Sequence, residues 1–382
     1  MYIKQIVQNW FLRFTDDQKR FVVDFTAKFV IIKGVLSPQA SELDGCPTTK
    51  GRGTHMLEKI EQYIDSCIEA GDIYGASFSL ITPRGINQYY HGQQGHDEFA
   101  LGLDPSMIYD LASVTKVVGT TTRIFQLLSD HTIRLNDSVA RFLPGFAHPE
   151  ITIQNLLLHN SGLPADIQDL SAMNREDLIR AVYEAQLSHQ PGEQYVYSDL
   201  GYILLGWIIR TVDGSLARSI QDHVCYPLAM TNTGYNLNRP KVRFVPTEFD
   251  PRRGQIQGQV HDYKAFLLNG ESGHAGLFST LTDLSVFVEM MLNFGDYQGK
   301  RVLDENVFDW LGQFDENGRT LGWERRQGQH QYFHTGFTGP AIAFDLDAQT
   351  GLVVLTNRVY PTSDNQVWNR DRAHVLDLFF EK

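Results

Sequence analysis

Apolar positions at Leu57, Ile60, Ile64 and Ile68 follow the spacing of one helix face, and Gly71 and Gly75 bracket the end of that stretch. "GASFSLITP" and "NQYYHGQQG" then read as two short strands joined by a turn at Pro83 to Gly85. Asp104-Pro105 marks another turn. The helical period returns at Val114, Val117, Val118, Thr121, Ile124, Phe125 and Leu128. Further helices are expected near 151–159, 174–187, 199–213 and 217–224. Strand signals come back late, in "YFHTGF", "PAIAFDLDA" and "GLVVLTNRV", and the closing "RDRAHVLDLFFE" is helix-like. Strands therefore occur at both ends of the chain with a helical block between them. The simplest architecture is an α/β (α+β) fold: a sheet built from both chain ends, flanked by terminal helices, with a helical domain inserted.

Composition narrows the function. The chain has 382 residues, 42% hydrophobic and 20% charged, an ordinary globular balance with material for a full core. A formal charge of −12 argues against nucleic acid or an anionic membrane as partner. No run of roughly 18 apolar residues occurs, so no membrane span is expected. The three cysteines, Cys46, Cys67 and Cys225, show neither metal-ligand spacing nor a disulfide framework. "GRGTHM" (51–56) has the look of a cloning junction before a start at Met56, so residues 1–55 read as an added or flexible extension and 56–382 as the body of the chain. Within that body the α/β part is expected at roughly 56–112 and 281–382, and the helical part at 113–280. No secretory cleavage site is visible, which points to the cytoplasm as the expected compartment.

"DLASVTKVVGT" places Ser113 and Lys116 three residues apart at the front of an apolar stretch. On a helix the two share one face. A nucleophilic serine needs a base, a donor for the developing oxyanion, and access. A desolvated lysine one turn on meets the first need, and the unpartnered N–H at a helix start meets part of the second. The spacing alone is common, and on that alone an N-cap serine with a surface lysine is the favoured explanation.

Two more stretches change that balance. "YVYSDLGY" carries Tyr197, Ser198 and Asp199 at the mouth of a helix, and "HTGFTG" runs from His334 to Gly339 on a late strand. In this order, with a helical block between first and third, the set resembles the serine β-lactamase and penicillin-binding protein superfamily. More closely it resembles the class C β-lactamase-like branch, which also holds esterases and D-amino-acid peptidases. The three elements match that family's Ser-x-x-Lys, Tyr-x-Asn and Lys-Thr-Gly. "LLLHNSGLP" (156–164), "GHAGLFST" (273–280) and "LTNRVYPT" (355–362) look like segments common in the branch. The resemblance covers roughly 57–382. It implies an antiparallel sheet flanked by terminal helices with an inserted all-helical domain, and no cofactor or metal. Ser113 would be the nucleophile, Lys116 its activating neighbour and Tyr197 the base. The backbone N–H groups of Ser113 and Phe337 would form the oxyanion hole, and Asp199, His334, Thr335 and Gly336 would meet the substrate. The implied activity is acyl-enzyme hydrolysis of a small ester, amide or peptide, with esters first. The alternatives are a D-Ala-D-Ala carboxypeptidase or β-lactamase, and a non-catalytic penicillin-recognition module.

Two positions depart from the pattern. His334 stands where relatives carry lysine, and a histidine is only partly charged near neutrality, so anion binding is expected to weaken above its pKa. Asp199 stands where relatives carry asparagine, and a carboxylate accepts hydrogen bonds but donates none; pairing with Lys116 is expected instead. His159 reads as a structural histidine before a turn, His261-Asp262 as a loop contact, and His274 and Glu271 as residues near the site without an assigned role.

Overall fold

The computed structural model describes residues 52–381 apart from 327 and 328. The extension read at 1–55 falls almost wholly outside these. The first helix among the described residues, α1 (Arg52–Glu69), begins four residues before Met56 and so inside that segment.

Six strands make the main sheet: β1 (Gly75–Thr82), β2 (Gly85–Gly92), β3 (Glu324–Arg325), β4 (Gln331–Thr335), β5 (Ala341–Asp345) and β6 (Thr350–Leu355). Their order is β3-β4-β5-β6-β1-β2, and every neighbouring pair is antiparallel. The two halves of the sheet come from opposite ends of the chain and join where β1 pairs with β6, Phe78 opposite Val354. The central strands are covered on both faces. Ala76, Phe78, Leu80, Ala341, Ala343, Leu352 and Val354 pack against α1 and the last helix, α5 (Val367–Phe380), whose Trp368 is fully buried. Ile342, Phe344, Val353 and Leu355 face the larger core shared with the helical block. This double burial explains why the strands read as near-continuous apolar runs. Ser77 and Ser79 on the inner face of β1 are satisfied by Tyr109 Oη and Ser285 Oγ, each at 2.8 Å.

The middle of the chain is less purely helical than expected. Tyr109–Asp110, Leu277–Ser279 and Gly234–Tyr235 form a small antiparallel sheet, and Phe249–Asp250 pairs with Gly254–Gln255. Ladders of two or three residues carry no measurable period, so the sequence could not announce them. Nor did it announce helix α4 (Leu281–Leu292), which is buried almost all round and lacks an amphipathic stripe. The stretch after Ser113 is helical but not one α-helix. A tight turn at Ala112–Val114 leads into a wide turn, Lys116–Thr121, and only then into α2 (Thr122–Ser129). Helix α3 (Asp199–Asp213) runs as expected. Gly206 on α3 and Gly273 meet so closely that a Cβ on Gly273 would lie 2.1 Å from Tyr202 O, and this contact brings the 272–277 segment against the site.

Candidate active site

Ser113 is presented by a strained turn that is pinned on both sides. Ala112 before it has φ +44°, in the left-handed region a non-glycine residue rarely adopts. Asp110 holds that turn through Oδ1, which accepts from Ala112 N at 2.9 Å, and Oδ2, which accepts from His261 N at 2.7 Å. Leu111 N donates to Leu277 O at 3.0 Å, and Leu277 N donates to Thr115 Oγ1 at 3.1 Å.

Lys116 answers the question its position raises. It is fully buried, and its ammonium has three neighbours. Nζ donates to Ser113 Oγ at 2.9 Å and to His274 O at 3.0 Å, and lies 2.8 Å from Asp199 Oδ1. It also sits 5.1 Å from the centroid of the Tyr197 ring. Burial alone would strip its charge. Asp199 and Tyr197 outweigh that and lift its pKa above the ordinary 10.5. Lys116 is therefore an ammonium at neutral pH and gives a hydrogen bond to the serine rather than taking its proton.

Asp199 is held between two lysines. Its Oδ2 lies 3.2 Å from Lys264 Nζ, which also reaches Asp166 at 3.0 Å and Asp262 at 3.4 Å. Burial would raise the Asp199 carboxyl, but Lys116, then His274 and Lys264, hold it well below 3.8. The pairing thus stabilises the fold in full above the ordinary carboxylate range, and that contribution fades only as the pH falls through the lower folded value. Asp262 accepts from His274 Nε2 at 2.8 Å, and Ser272 Oγ lies 2.8 Å from His274 Nδ1. Asp199, Asp262 and His274 bring ligand-type atoms within 4.8 Å of one another, but Lys116 and Lys264 already balance these carboxylates. His261 binds Glu248 at 2.8 Å rather than its neighbour Asp262, and Glu271 accepts from Ala217 N at 2.9 Å.

Tyr197 lies just before α3 and is positioned by His159. That histidine accepts from Ser198 N through Nδ1 at 3.1 Å, takes Val196 N on its carbonyl at 2.8 Å, and stacks on the Tyr197 ring at 4.5 Å. His159 is thus the structural histidine expected, and the element it holds in place is the one that carries Tyr197. Arg319, which no motif singled out, stands 5.0 Å from the same ring and pairs with Glu324 at 2.9 Å.

Gln331–Thr335 delivers the third element beside the Ser113 turn. Thr338 Oγ1 donates to Asp110 O at 2.7 Å and ties the two segments together. Among the described residues neither the Ser113 nor the Phe337 N–H donates to another backbone group. The cleft that opens over them encloses about 810 Å³ and is lined by Ser113, Tyr197, Asp199, His334, Thr335, Gly336 and Phe337 among others. The structure thus gathers every residue singled out for the site.

One expectation is corrected. His334 is not partly charged near neutrality. It is 1% exposed, its Nδ1 donates to Thr335 O at 2.9 Å, and burial, then Arg319, Lys116 and His159, push its pKa well below 6.5. The KM of an anionic ester is accordingly expected to show no inflection from His334 between about pH 6 and 8. KM profiles for a matched anionic and neutral ester measure this. An inflection seen only with the anionic ester, and removed in His334→Gln, would contradict the burial argument.

Comparison with known proteins identifies the family. The family model "Beta-lactamase" matches residues 60–377. The chain belongs to the beta-lactamase family. It is a serine hydrolase by kinship. A protein of Escherichia coli K12 named "Putative D-alanyl-D-alanine carboxypeptidase" is 31% identical over 382 residues, covering 85% of this chain and 87% of that protein. The "N-acetylmuramyl-L-alanine amidase" of Bacillus subtilis 168 is 29% identical over 362 residues, covering 80% and 81%. Among solved structures, EstCE1, "a hydrolase with promiscuous acyltransferase activity", superposes with TM-score 0.69 at 19% identity over 86% of this chain and 99% of that one. A "Beta-Lactamase/D-Alanine Carboxypeptidase" from Pseudomonas syringae gives 0.68 at 19% identity, over 86% and 100%. The antiparallel sheet with flanking helices is that of these beta-lactamase-fold proteins. Among the described residues no single helix is long and apolar enough to cross a membrane.

Proposed function

We propose that this beta-lactamase family member hydrolyses small carboxylic esters through an acyl-enzyme on Ser113. The observation that carries the reading is the Lys116 ammonium, 2.9 Å from Ser113 Oγ and locked by Asp199 at 2.8 Å. A lysine held charged cannot be the base, so the serine proton goes to the Tyr197 oxygen. That tyrosine acts as phenolate, a charge the neighbouring ammonium balances. Ser113 Oγ bonds to the ester carbon as its proton passes to Tyr197. The oxyanion rests against the N–H groups of Ser113 and Phe337. Collapse breaks the bond to the alkoxide, which leaves with the proton from Tyr197. Water then adds to the acyl-enzyme, loses its proton to Tyr197, and the acid departs as Ser113 Oγ regains a proton.

Esters are favoured because both Asp199 oxygens face lysines and neither offers a hydrogen to a substrate carbonyl. An amide needs that help and a proton on its nitrogen, whereas an ester carries a good leaving group. The curated relatives are named as a carboxypeptidase and an amidase, which supports cleavage of a small peptide or amide bond as the second reading. A panel of p-nitrophenyl acetate and butyrate, D-aminoacyl amides, a D-Ala-D-Ala peptide and a chromogenic cephalosporin decides between them. Ser113-dependent ester turnover with little cephalosporin turnover is expected, and Asp199→Asn is expected to raise lactam acylation relative to ester hydrolysis. Faster turnover of the D-Ala-D-Ala peptide or cephalosporin than of either ester would reverse the order.

A further inference from the structure

The loop Gly336–Pro340 is held by the last part of the chain, whose Arg358, Asn369 and Arg372 line the same cleft as Ser113. Arg372 Nη1, on α5, donates to Gly336 O at 2.6 Å and to Pro340 O at 3.2 Å, while its Nη2 donates to Asn369 Oδ1 at 3.3 Å. Arg358 Nε donates to Phe337 O at 2.6 Å, and Trp368 Nε1 donates to Gly339 O at 3.0 Å. The loop itself adds Gly336 N to Pro340 O at 2.8 Å and Gly339 N to Gly336 O at 3.1 Å. Carbonyls 336, 337, 339 and 340 all accept hydrogen bonds, while the Phe337 N–H is left out of the network.

The Gly336–Phe337 peptide is trans, and in a trans peptide the C=O and the N–H point in opposite directions. Anchoring Gly336 O on Arg372 therefore aims the Phe337 N–H away from that guanidinium, and the next residue, Thr338, ties the loop to the segment carrying Ser113. Glycine is required at 336, since a Cβ there would lie 2.5 Å from Leu111 O. Among the described residues Arg372 forms no ion pair with a carboxylate, so its charge is spent on these carbonyls. Burial, then the nearby Arg358, pulls its pKa down only to about 10, which leaves it charged at neutral pH. A hydrogen bond from a cation polarises the peptide it binds and strengthens the N–H at its other end.

We propose that Arg372 is the positioning residue of the oxyanion hole: it orients and polarises the Gly336–Phe337 peptide so that the Phe337 N–H stabilises the tetrahedral oxyanion on Ser113. The proposal rests on the reading of Ser113 as nucleophile. It predicts an effect on the transition state and little effect on ground-state binding, because a neutral ester carbonyl gains far less from the donor than an oxyanion does.

The test uses the full chain with Arg372→Met and Arg372→Lys. Turnover of p-nitrophenyl butyrate is measured per site titrated with a fluorophosphonate, together with the Ki of a phenylboronic acid, which adds to a serine oxygen as a tetrahedral anion. Losing an oxyanion donor outright costs roughly 10²- to 10³-fold in kcat, so Arg372→Met should cost about 10- to 100-fold. KM should stay within about threefold, and the boronate Ki should rise in step with the loss in kcat/KM. Arg372→Lys, which keeps the charge but not the fork, should recover part of both losses. Unchanged kcat per titrated site and unchanged boronate Ki would overturn the proposal. So would losses that merely track the fraction of sites titrated. Should Arg372→Met fail to fold, Arg372→Lys carries the test alone: its Ki must rise by about fivefold relative to KM. The underlying reading fails separately, in the parent protein, if boronate binding survives Ser113→Ala.

Discussion

Ser113→Ala is expected to lower ester turnover by at least about 10³-fold and to abolish fluorophosphonate labelling, with the fold intact. The size of the loss follows from a covalent mechanism, in which no neighbouring group can take the acyl chain. The intact fold follows from what Lys116 keeps. Without the serine hydroxyl its ammonium still donates to His274 O at 3.0 Å and still faces Asp199 at 2.8 Å, so no buried charge is orphaned. Asp110 and Leu277 continue to hold the turn through backbone groups that the substitution leaves in place. Turnover by purified Ser113→Ala above about a tenth of the parent would remove Ser113 as nucleophile. A melting temperature close to the parent's, measured beside it, separates lost chemistry from lost structure.

Where the chemistry fixes residue types close together in sequence, the chain could be read. Ser113 and Lys116 are three residues apart because the lysine must touch the serine, and the 2.9 Å contact is the physical content of that spacing. Tyr197 with Asp199, and His334 to Phe337, are likewise short runs of sequence, one at the start of α3 and one at the end of β4. The sheet was legible because its central strands are buried on both faces, which leaves long apolar runs, and because those runs fell at the two ends of the chain. What the sequence hid depends on contacts across large separations. Arg319 acts beside Tyr197 through a ring contact, and Arg372 acts on a carbonyl 36 residues away. Nothing in the neighbours of either arginine marks it. His334 shows the same limit from the other side. Its residue type was plain, but its charge is set by burial and by Arg319, Lys116 and His159, which only the folded chain assembles.

Lys116 and Tyr197 are expected to fail together. Lys116→Ala, Tyr197→Phe and the double variant should each lose about 10³-fold in kcat, with the double no worse than the poorer single by more than about threefold. Tyr197→Phe removes the oxygen that receives the serine proton. Lys116→Ala leaves that oxygen but takes away the ammonium 5.1 Å from the ring centroid, and with it the charge that lets a phenolate persist. Each change therefore destroys the same proton acceptor, and removing both destroys it only once. The stability cost is not shared in this way. Lys116→Ala leaves Asp199 with Lys264 alone, at 3.2 Å, and should lower the melting temperature, whereas Tyr197→Phe keeps the ring that stacks on His159 at 4.5 Å and should barely change it. Losses that multiply, so that the double variant falls by about 10⁶-fold, would mean that the two groups act in separate steps and that Tyr197 takes the proton without help from Lys116.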